Sequence, residues 1–383
     1  MNITRRHFFF GSLALPVLAA DKPLGETPNV LLILVEGLPA FALGCYGATE
    51  VRTPGIDRLA KTGTRFLNHY AASPVADKAR AALFTGRTPM QPKDSGEVTL
   101  DKLLSGIGYA VGATSGGAEA LKFLDSQAPG KPFLLTAGFS PYTHLPEPGE
   151  YAQTKLDTFA QDPIARNAVG GKEFLGANLV GNLRRAAAAT TALDAEIAAL
   201  VAKLTQKNLL NPTLIILTSP TGSLFGRHGL WGSGDSSDPV NMYEEVVATP
   251  MIWSWPGHIV PLATRPEMIS AYDLVPSMCD ITPAILPARN LCGRSYLSLA
   301  AGKPLPKKDP WRATVFAQFA DTAMARSDRY KVVLRSDGKG PGELYDDRLD
   351  PREKVNQYDN PQFMTVKNTL SVELGKWKKT YSA

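Results

Sequence analysis

Few side chains in this 383-residue sequence are placed to do chemistry, and they are scattered along it. Glu36 follows an apolar run, Arg80 lies in a short polar segment, and His144 and His228 lie among glycines and prolines. A divalent cation such as calcium needs several carboxylate or carbonyl oxygens, whereas Glu36 is followed by Gly37. One carboxylate with water is a poor calcium site, while a guanidinium near the start of a helix could bind an anion.

The segment around Arg80 carries the clearest pattern. It reads Ser73-Pro-Val-Ala-Asp-Lys-Ala-Arg80 and continues as Ala-Ala-Leu-Phe-Thr-Gly-Arg87. This resembles the nucleophile loop of the sulfatases, roughly S-P-x-C-x-P-S-R-x-x-L-x-T-G-R, whose cysteine or serine becomes a formylglycine. The sequence has Ala76 at that position, and a methyl side chain cannot be a nucleophile or be converted into one.

The resemblance to the sulfatases extends from about residue 28 to about residue 360. No single segment is decisive, but the segments occur in the family's order and spacing, which makes the set specific. The matching segments are 28–35, 43–47, 53–60, 63–66, 131–135, 214–219, 226–232, 249–253 and 342–351. The resemblance implies the α/β fold of the alkaline phosphatase superfamily, with a central, mixed and mostly parallel sheet between helices and a small antiparallel C-terminal subdomain.

The apolar patterning of the chain predicts the same class of fold. Continuous apolar runs at 30–35, 133–139, 213–218 and 251–253 are typical of strands buried on both faces. Helical spacing predicts helices over 55–62 and 179–204. After a proline-rich linker near 299–310, we expect strands at 314–319, 330–334 and 343–345 and a closing helix at 371–378. The predicted organisation is a signal peptide at 1–20, a main domain at 28–300 and a C-terminal subdomain at 311–383.

The resemblance also implies that most catalytic positions of the family are changed. Where the family has its later metal ligands, the sequence has Pro220 and Thr221, and no lysine occurs in 108–117. Fixed positive charge is a large part of oxyanion stabilisation, and little of it is kept. We therefore expect no intact catalytic set and no bound metal or other cofactor, with Glu36 as the residual metal candidate. The vestigial pocket would comprise Glu36, Gly37, Ala76, Arg80, Tyr142, His144, Pro220, Thr221, His228 and Ser233.

Several of these residues have two interpretations. Arg80 could brace its own helix or bind an anion, and His228 could hold its loop by hydrogen bonds or bind a metal. His144 could replace a histidine that the family has two positions earlier. The acidic stretch Asp235, Asp238, Glu244 and Glu245 could be a solvated surface, a helix start or a relocated metal site.

The N-terminus has the pattern of an export signal. Arg5 and Arg6 precede an apolar stretch at 8–20 that ends in two alanines, which resembles a twin-arginine signal; the alternative is a disordered tail. We expect a periplasmic or secreted protein. The formal charge of +5 without a dense basic run argues against nucleic-acid binding, and no apolar run reaches transmembrane length. Cys45 is expected to pack inside, and the spacing of Cys279 and Cys292 permits a disulfide without establishing one.

Three functions remain open from the sequence. The first is a catalytically inactive, exported pseudo-sulfatase that binds a sulfated or other anionic glycan or a protein partner. The alternative is a divergent sulfuric- or phosphoric-ester hydrolase in which Glu36, Arg80, His144 and His228 converge. Its nucleophile would be a water or a hydroxyl from Thr221 or Ser233. The third is a structural role in a larger assembly.

Overall fold

We analysed a computed structural model of the chain. It describes residues 27–91, 97–128, 130–154, 179–288, 290–305, 308–336, 338 and 340–382. The N-terminal segment that was predicted to be an export signal lies outside these residues. None of the helices in the described part of the chain combines the length and apolarity that a bilayer-spanning segment requires.

Strands and helices alternate through the first three quarters of the chain. The strands are β1 (Asn29–Val35), β2 (Thr64–Tyr70), β3 (Ala110–Ser115), β4 (Phe133–Phe139), β5 (Thr213–Thr218), β6 (Met251–Ser254) and β7 (Ala263–Ser270). The helices are α1 (Pro54–Lys61), α2 (Ala76–Thr85), α3 (Leu100–Gly106), α4 (Gly117–Ser126), α5 (Leu179–Gln206), α6 (Glu244–Val247), α7 (Leu274–Ile281) and α8 (Leu297–Ala300).

The first seven strands form one sheet in the order β3-β4-β1-β5-β6-β2-β7. β6 runs antiparallel to both of its neighbours, and the other pairings are parallel. The central strand β1 is buried on both faces because its apolar side chains alternate between two cores. Its odd-numbered positions 31, 33 and 35 enter the core beside α1, α4 and α5, and positions 30, 32 and 34 enter the core beside α2, α3 and α7.

The C-terminal part adds a four-stranded antiparallel sheet and a long helix. Its strands are β8 (Thr314–Phe319), β9 (Thr322–Ser327), β10 (Tyr330–Arg335) and β11 (Glu343–Asp346), in the order β11-β10-β9-β8, and α9 spans Met364–Tyr381. One face of this sheet packs on α9 through Leu370, Leu374 and Trp377. The other face packs on the main domain around Tyr243 and Val246.

The long helix α5 fixes the ends of two other helices. The Asp194 carboxylate accepts hydrogen bonds from the backbone N–H groups of Gly55 (2.9 Å) and Ile56 (2.7 Å) at the start of α1. Two residues further along α5, the Glu196 carboxylate accepts from Gly117 N (2.9 Å) at the start of α4. The unsatisfied N–H groups of both helices therefore find partners on one neighbouring helix.

The sequence-based fold prediction is confirmed, and its element boundaries are confirmed in part. The runs at 133–139, 213–218 and 314–319 have the predicted limits, and the fold class is the predicted one. The closing helix is ten residues longer than the predicted 371–378, and β9 was missed, so the small sheet has four strands rather than three. Cys279 and Cys292 are free thiols in this structure, as is Cys45.

Candidate functional site

An open cleft of about 510 Å³ lies at the carboxyl ends of β1, β3 and β4. The parallel strands bring these ends to one edge of the sheet, which is the edge where open α/β sheets bind ligands. Backbone hydrogen bonds hold the edge together: Glu36 N donates to Phe139 O (2.8 Å), and Gly116 N donates to Gly138 O (2.7 Å). Helix α5 forms the remaining wall through Ala189, Ala192, Leu193 and Glu196.

Glu36 and Arg80 meet in this cleft as an ion pair. Glu36 is the first residue after β1, and Arg80 lies on the second turn of α2, so two rigid elements present the two charges to each other. The Glu36 side chain is 25% exposed and the Arg80 side chain 44% exposed. Partial burial lowers the pKa of the Arg80 guanidinium from its usual value. Arg80 therefore reaches across the site to a carboxylate instead of bracing its own helix.

The rest of the cleft offers hydroxyl groups and a second carboxylate. Thr114 and Ser115 at the end of β3 and Ser140 after β4 line it, together with His144. The side chain of Glu196 lines the cleft while its carboxylate holds the start of α4. Sequence reasoning did not find Glu196 or the hydroxyl groups, because their place in the cleft depends on how β3 and α5 pack rather than on a local motif.

The residues beside Glu36 do not suit a hard cation. Gly37 has a left-handed backbone with φ of +70°, a conformation that an aspartate would adopt only with strain. Ser219 Oγ lies 2.5 Å from the carbonyl oxygens of Val35 and Thr221, so this hydroxyl ties the ends of β1 and β5 together. Pro220 follows it and offers no side-chain oxygen. Calcium takes six to eight oxygen ligands, and the single carboxylate of Glu36, already paired with Arg80, does not fit that requirement.

The loop that resembles the nucleophile loop is packed under another loop. Ala76 is the first residue of α2, and the segment before it is buried from Ala71 to Pro74. Gly234 N donates to Pro74 O (3.0 Å), and a Cβ at Gly234 would lie 2.4 Å from Pro74 Cβ. Ser233 beside it donates its hydroxyl to Asp235 (2.7 Å). Ala76 and Ser233 are thus not among the residues that line the cleft.

Tyr142 is directed into the core rather than into the cleft. Its hydroxyl lies 2.9 Å from Thr190 Oγ1 on α5, and its ring stands edge-on to Phe225 with centroids 4.9 Å apart. Burial raises the pKa of the phenol well above its usual range. His144, which was considered as a replacement for the family's histidine, lines the cleft, whereas Tyr142 does not.

His228 belongs to a separate buried network. Its ring stacks on Tyr243 with centroids 3.6 Å apart, and its Nε2 lies 3.5 Å from Glu245 Oε2. Arg227 binds the other carboxylate oxygen of Glu245 at 3.0 Å. Burial alone would raise the pKa of Glu245, but hydrogen bonding to His228 and the neighbouring charges lower it to about 2. This network holds the loop, and His228 does not line the cleft with Glu36.

The acidic stretch that could have been a relocated metal site is divided among three places, of which the network with His228 holds Glu245. Asp235 and Asp238 are exposed, whereas Glu244 begins α6 and joins Asp347 and Glu353 in the one cluster of three metal-ligating side chains found among the described residues. The interpretation of the whole stretch as a solvated surface is therefore wrong for Glu244 and Glu245.

Two cations already occupy the cluster formed by Glu244, Asp347 and Glu353. Lys331 pairs with Glu353 and lies 3.4 Å from Glu244, and Arg326 pairs with Asp347 and lies 3.3 Å from Glu244. The Lys331 side chain is fully buried, and its ammonium also donates to Met242 O (2.7 Å). The cluster joins the small sheet to the main domain, and its own cations take the place that a metal ion would need.

The fold and the position of the cleft define an α/β protein of the alkaline phosphatase superfamily. The chain belongs to the sulfatase family, because the family model for sulfatases matches residues 28–119 and 117–284. A second model, for the C-terminal part of N-sulphoglucosamine sulphohydrolase, matches residues 232–380.

Two of the curated relatives match most of the chain at low identity. Human arylsulfatase A is 27% identical over 364 residues, which span 75% of this chain and 70% of that protein. The Δ4,5-hexuronate-2-O-sulfatase of Bacteroides thetaiotaomicron is 23% identical over 440 residues, which span 92% of this chain and 89% of that protein.

Solved structures agree with the fold. The phosphonate monoester hydrolase of Agrobacterium radiobacter superposes with a TM-score of 0.78 at 18% identity and covers 92% of this chain and 96% of that one. A protein solved in complex with its substrate, D-glucosamine-2-N,6-O-disulfate, gives a TM-score of 0.76 at 18% identity and covers 93% of this chain and 98% of that one.

The structure therefore brings together three of the ten residues of the predicted vestigial pocket. Glu36, Arg80 and His144 line the cleft. The others are not among the residues that line it: Gly37, Ala76, Tyr142, Pro220, Thr221, His228 and Ser233.

Proposed function

We propose that this chain is an exported, non-hydrolytic member of the sulfatase family whose cleft binds a glycan. The observation that carries the proposal is the pairing of Glu36 with Arg80 in a cleft where, among the described residues, Glu36 belongs to no group of three metal-ligating side chains. The position that resembles the family's nucleophile is Ala76, which cannot attack an ester. Ester hydrolysis on this fold depends on a metal ion that stabilises charge and on a nucleophile. The residues at this edge of the sheet suit binding instead.

A glycan is the ligand class that the family supports best. Two of the similar proteins carry names or bound substrates that describe sulfated sugars. In the present chain the cleft has hydroxyl groups at its rim and an apolar wall from α5, which are the groups that saccharides contact. The sequence led us to expect a sulfated or otherwise anionic glycan. Whether the cleft can bind such a ligand depends on how much of the Arg80 charge is free to contact it.

Export is part of the same proposal. Arg5 and Arg6 stand before the moderately apolar stretch at 8–20, which is the arrangement that a twin-arginine translocase reads. Fractionation of a bacterial host should place the wild-type chain in the periplasm or medium, and replacing both arginines by lysine should retain it inside the cell. Export of the double lysine variant as efficiently as the wild type would exclude the twin-arginine assignment.

The claim that the protein does not hydrolyse esters is tested with purified protein in the presence of calcium. Fluorogenic aryl sulfate, phosphate monoester and phosphonate monoester substrates are incubated with the wild-type chain and with the Arg80→Ala variant. We expect the same background rate for both chains. Turnover by the wild type that Arg80→Ala abolishes would contradict the proposal, because it would place a working active site in the cleft.

A divergent ester hydrolase is the second candidate, and one observation favours it. His144 lines the same cleft as Glu36 and Arg80, so a histidine, a carboxylate and a cation do converge there. Of the nucleophiles considered from the sequence, only water remains available to such an enzyme, because Thr221 and Ser233 do not line the cleft. If turnover is found, the Glu36→Ala/His144→Ala double variant should lose it; unchanged turnover would exclude this constellation.

A further inference from the structure

The charges of the cleft indicate which ligand group it accepts. Among the described residues that line it, Glu36 and Glu196 are carboxylates and Arg80 is the guanidinium, so negative charge is in excess when His144 is neutral. Arg80 is the group that could bind a sulfate, and it already contacts Glu36. A sulfated ligand would thus meet a cation whose charge is neutralised from within the protein.

We propose that Glu36 is a specificity-determining residue that occupies Arg80 as an internal counter-ion. The cleft then accepts an uncharged, hydroxyl-bearing part of a saccharide and disfavours a sulfated one. This inference rests on the proposed function, since it concerns the ligand of the same cleft, and it narrows the sulfated or anionic ligand expected from the sequence to a neutral one.

The ion pair of Glu36 and Arg80 should resist displacement by a sulfate. The backbone of Glu36 is fixed by its hydrogen bond to Phe139 O at the end of β4, and the backbone of Arg80 is fixed by its place on α2. A sulfate that bound Arg80 would have to displace the carboxylate and leave it beside a second anion in a site where Glu36 is only 25% exposed. The sulfate and the displaced carboxylate would repel each other, and a carboxylate with restricted hydration is costly to leave unpaired.

Neutral hydroxyl groups meet no such penalty. Thr114 Oγ1 is buried without a hydrogen-bond partner among the described residues, and Ser115 and Ser140 stand exposed at the rim. Each hydroxyl can donate one hydrogen bond and accept others, which suits the hydroxyl groups of an unsulfated sugar. The exposed face of the ion pair can also accept and donate hydrogen bonds without being broken.

The inference is tested by titrating inorganic sulfate into the full chain by calorimetry at low ionic strength, where screening is weak. Four proteins are compared: wild type, Glu36→Gln, Glu36→Gln/Arg80→Gln and Glu196→Gln. The last is the matched control, because it removes one carboxylate from the same cleft but leaves Arg80 paired. Its amide oxygen can still accept the hydrogen bond from Gly117 N.

We expect the Glu36→Gln variant to bind sulfate about tenfold or more tightly than the wild type, since an unpaired guanidinium makes strong charge-assisted hydrogen bonds to such an anion. The double variant and Glu196→Gln should bind as weakly as the wild type. Equal sulfate affinity of the wild type and Glu36→Gln would overturn the inference, and so would a gain in Glu196→Gln as large as in Glu36→Gln. If Glu36→Gln does not fold, Glu36→Ala serves in its place.

A second measurement separates this inference from the proposed function. Sulfated neocarrahexaose and its chemically desulfated counterpart are offered to the wild type and to Glu36→Gln. Preference of the wild type for the desulfated form, reversed in Glu36→Gln, supports the inference. Arg80-dependent binding of the sulfated form without hydrolysis would overturn the inference alone, whereas hydrolysis would overturn the proposed function.

Discussion

The Lys331 ammonium and the Glu353 carboxylate form an ion pair in which both side chains are fully buried. Lys331 comes from β10 of the small sheet, and Glu353 follows β11 and accepts a hydrogen bond from Glu244 N (2.7 Å) at the start of α6. The pair therefore connects the C-terminal sheet to the main domain through a carboxylate that each side contacts. Removing this ion pair should lower the stability of the whole protein.

The first prediction concerns the loss of that buried cation. Lys331→Met should lower the free energy of unfolding by about 3–5 kcal/mol, because it leaves the buried Glu353 carboxylate without its cation and Glu244 with Arg326 alone. Chemical denaturation measures the change. Lys331→Met/Glu353→Gln is the control and should recover part of the loss; a single variant as stable as the wild type would show that the pair contributes nothing.

The same cluster predicts a dependence of stability on pH. Burial and the nearby charge of Glu244 raise the pKa of Asp347 to about 7, despite Arg326 and Lys331. The folded chain therefore keeps a proton that the unfolded chain releases near pH 4. The contribution of Asp347 to the free energy of unfolding is thus fully present below about pH 4 and is lost as the pH rises to about 7. The neighbouring cations Arg326 and Lys331 lower the pKa of Glu244, so its contribution to stability is present near neutral pH and is lost as the pH falls through the folded-state pKa.

The Asp347 contribution can be isolated by substitution. Unfolding free energies of the wild type and Asp347→Asn are compared between pH 4 and pH 8. The advantage of the wild type should shrink as the pH rises through this range. A constant difference between the two proteins would mean that Asp347 has an ordinary pKa in the folded state.

Helix α5 should stabilise α1 through one side chain. Asp194→Ala removes the acceptor of two backbone N–H groups, those of Gly55 and Ile56, and should cost about 1–2 kcal/mol of unfolding free energy. Asp194→Asn keeps an acceptor oxygen and should cost less. Equal losses for the two variants would show that the charge matters rather than the hydrogen bonds.

A nucleophile alone should not restore hydrolysis. Ala76→Cys places a thiol at the first residue of α2, but Gly37 and Pro220 still offer no side-chain metal ligands. Turnover of an aryl sulfate should stay at the wild-type background, with thiol titration as the control that the new cysteine is accessible. A rate tenfold or more above background would contradict this prediction, because it would show that a nucleophile is the only group missing for hydrolysis.

The fold could be predicted because its central strands carry their own signal. β1, β4 and β5 are continuous apolar runs, and such runs identify strands that helices cover on both faces. The edge strand β3 was missed because its small residues alternate between partly buried and exposed positions. α9 extends well beyond its predicted limits because Trp377 and two leucines anchor a helix whose other faces are mostly polar.

The candidate site could be predicted only in part. The family pattern located Glu36 and Arg80, but their direct pairing depends on how α2 packs against the end of β1. Glu196 reaches the cleft from a helix that is distant in sequence, and the pattern around Tyr142 could not show that its ring turns into the core. Long-range packing, which no local motif encodes, decided each of these positions.

The most direct test of the central claim is the calcium content of the purified protein, measured by elemental analysis after dialysis against calcium and a rinse. A site with one suitable carboxylate, already paired with Arg80, should retain no stoichiometric metal. We predict far less than one calcium per chain. One calcium per chain that is lost in Glu36→Ala would contradict the account and make a divergent hydrolase the function to pursue.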